Sequence, residues 1–218
     1  MSNSKLSKEV KAWISYDLGN SAFATTVVAA FFPIFYNQFW ASNIDSVLSA
    51  EYLSWTLVIS NVALLFTAPL IGAVTDISKT TKKLFISMVL ISIICVGLLF
   101  FVEAGSWIYA LVFFGIANYF FSASNVLYDK ILVQITSPDL FSKISGYGYA
   151  WGYFGGGLLF LINALMSLNP ELFGLSSQAD AIRWSFITVS IWWSIFLLPL
   201  SCLLYTSDAA DEASSVGV

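Results

Sequence analysis

The sequence predicts an all-α integral membrane protein that crosses the bilayer six times. Hydrophobic residues make up 58% of the 218 residues and charged residues 10%, a composition that the polar surface of a soluble protein could not cover. Six apolar runs each approach the roughly 20 residues that a helix needs to span a bilayer. These runs lie at about 14–39, 52–74, 84–102, 107–128, 146–168 and 183–204.

The basic residues set the predicted orientation. When the connecting loops are assigned alternately to the two sides, eight of the nine basic residues lie on one side. These residues are Lys5, Lys8, Lys11, Lys79, Lys82, Lys83, Lys130 and Lys143. The opposite loops carry acidic residues and one basic residue, Arg183. Because cytoplasmic loops are enriched in lysine and arginine, we expect both termini to lie in the cytoplasm.

The composition excludes several classes of site. The chain has no histidine, which rules out histidine-based zinc sites and Ser/His or Cys/His nucleophile pairs. Cys95 and Cys202 lie inside apolar runs without a CxxC motif, so we expect no disulfide. No basic stripe suited to nucleic acid is present in the sequence. We therefore predict no cofactor, no metal, no nucleic-acid partner and no enzymatic activity.

Polar residues within two of the spans give the main functional clue, because such residues are costly in lipid. In the first span they share one helical face: Asp17, Asn20, Ser21 and Thr25. In the fourth span they again share one face: Asn118, Ser122, Asn125 and Asp129. This helical spacing predicts a water-filled cavity between the two spans, with a solute pathway along it. Interhelical hydrogen bonding by the Asn and Ser side chains is the alternative.

The two aspartates are expected to act at one end of this cavity. The first span runs outward and the fourth runs inward, so Asp17 and Asp129 both come near the cytoplasmic mouth. There they would bind a cationic group, carry a proton or take part in gating. Alternatively, each is an ordinary interfacial residue or pairs with Lys11 or Lys130.

Glycines repeat in the fifth span. Gly148, Gly152 and Gly156 recur at every fourth residue, which allows another helix to approach backbone to backbone. We predict a packing role for these glycines. A hinge in a rocking helix is the alternative.

The connection between the second and third spans carries a recognisable pattern. It reads Gly72-Ala-Val-Thr-Asp76, followed by a basic cluster of Lys79, Lys82 and Lys83. This pattern resembles the signature of the major facilitator superfamily at the same cytoplasmic turn. It departs from that signature at Ile77 and Lys79, where the superfamily usually has a basic residue and a glycine. The resemblance implies that these residues latch a cytoplasmic gate, and a purely topogenic role for the lysines is the alternative.

Two further stretches resemble one branch of that superfamily, which contains the vacuolar amino-acid effluxers of autophagy and their bacterial relatives. Residues 13–26 with 31–35 resemble the first helix of the branch, and residues 145–157 resemble its fifth helix. The resemblance covers about residues 10–200. It implies a secondary transporter that works by alternating access, moves a small solute such as an amino acid, and lies in the bacterial inner membrane. Coupled protons would be a second partner, besides the lipid bilayer.

Members of the superfamily have twelve helices, whereas this chain has six predicted spans. We therefore expect residues 1–204 to form the N-terminal half of that fold, with 3+3 inverted repeats, and a C-terminal half to be missing as a partner. Residues 205–218 form a polar tail, and the string from Cys202 to Glu212 resembles translated sequencing-adapter read-through. We expect a truncated fragment. The alternatives are a six-helix half that dimerises, and a channel or non-catalytic membrane subunit that functions as an oligomer.

Overall fold

The computed structural model describes residues 6–78 and 80–216, and its side chains are described for residues 6–77 and 80–203. Within this part of the chain, six helices are long and apolar enough to cross a membrane. They are α1 (Lys8–Trp40), α2 (Ser46–Ile77), α3 (Thr81–Phe101), α4 (Trp107–Ile135), α5 (Pro138–Leu168) and α6 (Gln178–Leu203). No strand occurs among the described residues. The predicted all-α membrane fold with six spans is confirmed.

The helices extend beyond the apolar runs that predicted them. The first begins at Lys8 rather than near residue 14, and the fourth ends at Ile135 rather than near residue 128. A helix satisfies its own backbone groups, so it continues through the polar layer after the apolar run has ended. Ser7 caps the start of α1, where its Oγ accepts a hydrogen bond of 3.2 Å from Val10 N. The backbone of α6 continues as a helix to Val216, and the domain boundary at residue 204 stays a prediction.

The outer half of α1 is wound more widely than an α-helix. Residues Phe23–Phe31 and Tyr36–Trp40 are π-helical, and Ala41 N donates a hydrogen bond of 2.8 Å to Tyr36 O, five residues earlier. Pro33 lies between them inside the continuous helix, where its missing N–H removes one backbone hydrogen bond. Wide turns of this kind occur often at functional sites. Here the first one begins at Phe23 and includes Thr25, the last residue of the polar face of α1.

The helix α1 lies at the centre of the bundle. It packs against α5 on one side and α6 on another, while α4 packs against α2 and α3. The two groups meet where α3 packs against α6 and where the rings of Trp13 and Tyr128 stack with their centroids 4.2 Å apart. Each of these side chains also donates a hydrogen bond of 2.9 Å to the carbonyl oxygen of the other residue. Helix α1 is therefore positioned from three sides.

The connections at one end of the bundle contact one another. Trp40 Nε1 donates to Val102 O at 3.1 Å, which joins the end of α1 to the end of α3. The guanidinium of Arg183, near the start of α6, donates two hydrogen bonds of 2.9 and 2.7 Å to Phe100 O. Gly105 makes the tight turn before α4 with a φ of +80°, a conformation that favours glycine. The ends of α1 and α3 and the starts of α4 and α6 therefore lie at the same end of the bundle, as alternating spans require.

The close approach of α1 and α5 depends on glycines of α5. A Cβ atom added at Gly152 would lie 2.5 Å from Ser21 Oγ, and one at Gly156 would lie 3.0 Å from Ser21 O. At Gly148 it would lie 2.9 Å from a ring carbon of Trp13. All three glycines that repeat in the sequence therefore face α1. The packing role of these glycines, rather than a hinge, stays a prediction.

Two glycines that the four-residue repeat does not include make equally close contacts. A Cβ atom at Gly155 would lie 2.7 Å from Leu18 Cβ and 2.8 Å from Leu18 Cα, so backbone would have to move. On the opposite side of α1, a Cβ at Gly19 would lie 2.9 Å from Phe196 Cβ of α6. Glycines are thus present at the α1–α5 interface and at the α1–α6 interface.

We expect Gly155→Ala to destabilise the bundle by about 1–3 kcal/mol, because the added methyl group overlaps the α1 backbone. The matched control is Gly157→Ala, since a Cβ at Gly157 meets nothing within 4 Å. That substitution should stabilise the helix by about 0.5–1 kcal/mol. Thermal unfolding of the purified protein in detergent compares the two variants. Equal unfolding temperatures of the two variants would contradict the close α1–α5 contact.

Candidate functional site

A polar cavity of about 240 Å³ lies between α1, α4 and α5. Its lining comprises Trp13, Asp17, Asn20, Ser21, Ala24, Phe121, Asn125, Tyr128, Asp129, Ser145 and Tyr149. The polar faces of α1 and α4 thus meet at a cavity, at the place that their sequence pattern predicts. The third wall, which Ser145 and Tyr149 of α5 supply, was not predicted.

Asp17 is the buried acidic group of this cavity. Its side chain lies against Gly152, the residue is 9% exposed, and Ser21 Oγ lies 3.5 Å from its Oδ1. Within the described part of the chain no cation pairs with it. Asp129, by contrast, is exposed at the edge of the cavity. A buried carboxylate without a counter-charge is costly, so Asp17 needs either a bound proton or a positively charged partner.

The structure separates the two aspartates: Asp129 is exposed, so its interfacial role stays an alternative. Asp17 is buried rather than interfacial, and Lys11 lines a different groove, described below. Lys130 does not pair with its neighbour Asp129. Its ammonium lies 2.5 Å from the carboxylate of Asp76 on α2.

A chain of hydrogen bonds runs from the buried interior of the bundle to the cavity lining. Trp193 Nε1 of α6 donates to the hydroxyl of Tyr16 at 3.2 Å, and that hydroxyl donates to Asn20 Oδ1 at 3.2 Å. Asn20 Nδ2 then donates to Asn125 Oδ1 of α4 at 3.1 Å. The two asparagines therefore combine both predicted roles, since they join helices and line the cavity. The contribution of Tyr16 could have been found from its position four residues before Asn20, whereas no local signal marks Trp193.

Three residues of the predicted pathway lie outside the cavity lining. Thr25 Oγ1 lies 2.9 Å from Ser21 O and 3.3 Å from Gly156 O, so its hydroxyl joins α1 to α5. Asn118 is buried on α4, about 10 Å along the helix from Asn125. Ser122 is half-buried between them. By position along α4, Asn118 lies beyond the end of the cavity at Phe121.

A charged contact holds α2 to α4 near the predicted cytoplasmic end. Lys130 Nζ lies 2.5 Å from Asp76 Oδ1, and it also donates to Thr75 Oγ1 at 2.8 Å and Gly72 O at 3.5 Å. Lys130 is a partner of Asp76 that the sequence pattern did not reveal. Lys82 and Lys83 lie in the first turn of α3, and Lys79 falls outside the described residues. A gating role for this motif stays a prediction.

We expect Asp76→Asn and Lys130→Gln each to lower the free energy of unfolding by about 0.5–1 kcal/mol, because the pair is partly exposed. The double variant should cost little more than either single variant, since all three lack the same contact. Thermal unfolding in detergent compares the stabilities of the two single variants and the double variant. The exchanged pair Asp76→Lys with Lys130→Asp should regain stability. Additive losses would show that the two residues act independently.

Comparison with known proteins gives two matches. Residues 45–216 match the family described as vacuole effluxer Atg22 like. The chain is also 31% identical over 199 residues to the uncharacterized MFS-type transporter YxiO of Bacillus subtilis (strain 168). That match covers 90% of this chain and 46% of the relative, so the chain spans about half the length of the curated relative it matches. No solved structure matches the chain.

These matches confirm the family that the sequence resembles, and the family match includes the stretches at residues 72–83 and 145–157. They also agree with the prediction of a multi-pass membrane transporter rather than an enzyme.

Proposed function

We propose a transport function for this chain, which belongs to the family of vacuole effluxer Atg22-like proteins. The solute is small and carries a cationic group, and an amino acid fits this description. The observation that carries the proposal is the buried carboxylate of Asp17, which faces a polar cavity without a cation among the described residues. Binding of an ammonium group would supply the missing charge.

The neighbouring asparagines support an amino acid rather than a simple amine. Asn125 Oδ1 accepts the hydrogen bond from Asn20, which leaves the amide N–H groups of Asn125 available to a solute carboxylate. An ammonium group at Asp17 and a carboxylate at Asn125 would place the two ends of a zwitterion across the cavity. A volume of about 240 Å³ suits a ligand smaller than the drug-sized molecules that occupy typical pockets.

We further propose that transport proceeds by alternating access with a second six-helix unit. The relative is about twice as long as the matched region, and transporters of this class bind solute between repeated halves. Protons would couple to the solute through Asp17 or Asp129. The Asp76–Lys130 contact would hold α2 and α4 together while the cytoplasmic gate is closed. In this arrangement both termini of the chain face the cytoplasm of a bacterial inner membrane.

Counterflow tests the proposal. The chain is reconstituted together with its second six-helix unit in proteoliposomes that are preloaded with one unlabelled amino acid. Uptake of the same amino acid in labelled form is then followed, and the assay is repeated for each of the twenty amino acids. We expect transient accumulation for at least one of them, because only an alternating carrier couples efflux to uptake. A channel would equilibrate the label without accumulation.

Asp17→Asn should lower this counterflow at least 10-fold, because the variant retains the shape of the carboxylate but not its charge. Asp139→Asn is the matched control, since Asp139 is exposed and lies outside the cavity. Membrane insertion is compared by the yield of monodisperse protein. Full counterflow in Asp17→Asn, or equal loss in both variants, would contradict the role of Asp17.

A further inference from the structure

We propose that a groove on the outer flank of α1 and α5 binds an anionic phospholipid of the cytoplasmic leaflet. The groove has a volume of about 530 Å³ and is lined by Lys11, Ile14 and Leu18 of α1 and by Tyr147 and Trp151 of α5. The ammonium groups of Lys11 and Lys143 would bind the lipid phosphate. The acyl chains would lie along the apolar part of the groove.

The groove is separate from the solute cavity. The glycines of α5 face α1 and close the seam between the two helices. On α5, Ser145 and Tyr149 line the solute cavity on one side of this seam, whereas Tyr147 and Trp151 line the groove on the other side. A ligand in the groove therefore contacts the outer surface of the bundle and leaves the solute cavity free.

Two lysines flank the entrance of the groove. Lys11 lines it directly, and Lys143 precedes Tyr147 and Trp151 by one and two helical turns on the same face of α5. Lys143 Nζ lies 6.0 Å from the centre of the Tyr147 ring. Neither lysine forms an ion pair within the part of the chain that the structure describes. The groove entrance therefore offers positive charge to an anionic group.

Neighbouring charges on α1 support this assignment. Lys8 lies one turn before Lys11 and shares its face, so it adds to the positive charge. Glu9 lies about 200° around the helix from Lys11, away from the groove. Anionic lipids of the cytoplasmic leaflet attract such basic residues next to a membrane helix.

The interior of the groove identifies the ligand as an amphiphile. Ile14 and Leu18 follow Lys11 along α1, and Leu18 lies about 10 Å deeper than Lys11. Trp151, which is 50% exposed, gives the opposite wall an aromatic surface. A soluble phosphate compound would use only the lysines, and a neutral lipid would use only the apolar walls. An anionic phospholipid uses both parts.

Native mass spectrometry of the full chain, purified in detergent, tests the proposal. The probes are phosphatidylglycerol, phosphatidylcholine with the same acyl chains, and glycerol 3-phosphate. We expect phosphatidylglycerol to bind more tightly than phosphatidylcholine, and glycerol 3-phosphate not to displace it. In Lys11→Gln with Lys143→Gln, phosphatidylglycerol should bind roughly 25-fold more weakly, at about 5-fold for each lysine.

Two control variants make the result specific. Lys83→Gln removes an exposed lysine of another helix on the same predicted side, and it should leave the tightest phosphatidylglycerol binding unchanged. Trp151→Ala should weaken both lipids, whereas Tyr153→Ala, at an exposed position that does not line the groove, should weaken neither. Each variant is first shown to elute as a monodisperse peak. The exposed Lys143→Gln change alone provides the test if the double variant aggregates.

Three results would overturn the proposal. Equal binding of the two lipids would remove the role of the lysines. Displacement of phosphatidylglycerol by glycerol 3-phosphate would indicate a site for soluble anions. An effect of Lys83→Gln equal to that of the double variant would indicate general surface charge rather than this groove.

Discussion

The close contact between α1 and α5 is the interaction on which the rest of the structure depends. Glycines of α5 bring its backbone so near to α1 that Asp17 lies against Gly152. On the other side, Gly19 allows α6 to approach α1, and Trp192 Nε1 of α6 donates to Leu18 O at 2.8 Å. Without a hydrophobic driving force between helices in lipid, close packing and interhelical hydrogen bonds hold them together. The polar face of α1 is left to turn toward α4, where the cavity forms.

The number of spans, their direction and the polar faces of two helices could be predicted from the sequence. These features follow from local rules, since lipid requires long apolar runs and penalises polar side chains that do not face protein or water. The limits of the helices were predicted less well, because apolarity marks the hydrocarbon layer and not the ends of a helix. Asp129 consequently lies inside α4 rather than at its end.

Features that depend on the packing of distant segments could not be predicted. The partner of Asp76 is Lys130, which lies 54 residues further along the chain, and the sequence assigned Lys130 only to a side of the membrane. Trp193 joins the hydrogen-bond chain of the cavity, although in the sequence it is one of eight tryptophans without a local polar pattern. The contact of Gly155 with Leu18 is not marked by the glycine repeat, because Gly155 lies between its members Gly152 and Gly156.

The two flanks of the α1–α5 seam differ in chemistry, and this difference separates the two roles that we propose. One flank presents a buried carboxylate and amides to a small cavity, which suits a polar solute. The other presents lysines above an apolar surface, which suits a lipid. A helix that moves during transport would alter both flanks at once, because the glycine contacts couple its position to α5.

The central claim is that water from the cytoplasm reaches the cavity between α1, α4 and α5, and thiol accessibility tests it most directly. Single cysteines are placed at Ser21, at Asn125 and at the exposed, apolar Leu158, in a protein whose Cys95 and Cys202 are replaced by serine. A membrane-impermeant thiol reagent is then added to inside-out vesicles. We expect the cysteines at 21 and 125 to react and the one at 158 to stay unmodified. Protection of both cavity positions in vesicles of proven orientation would contradict the account.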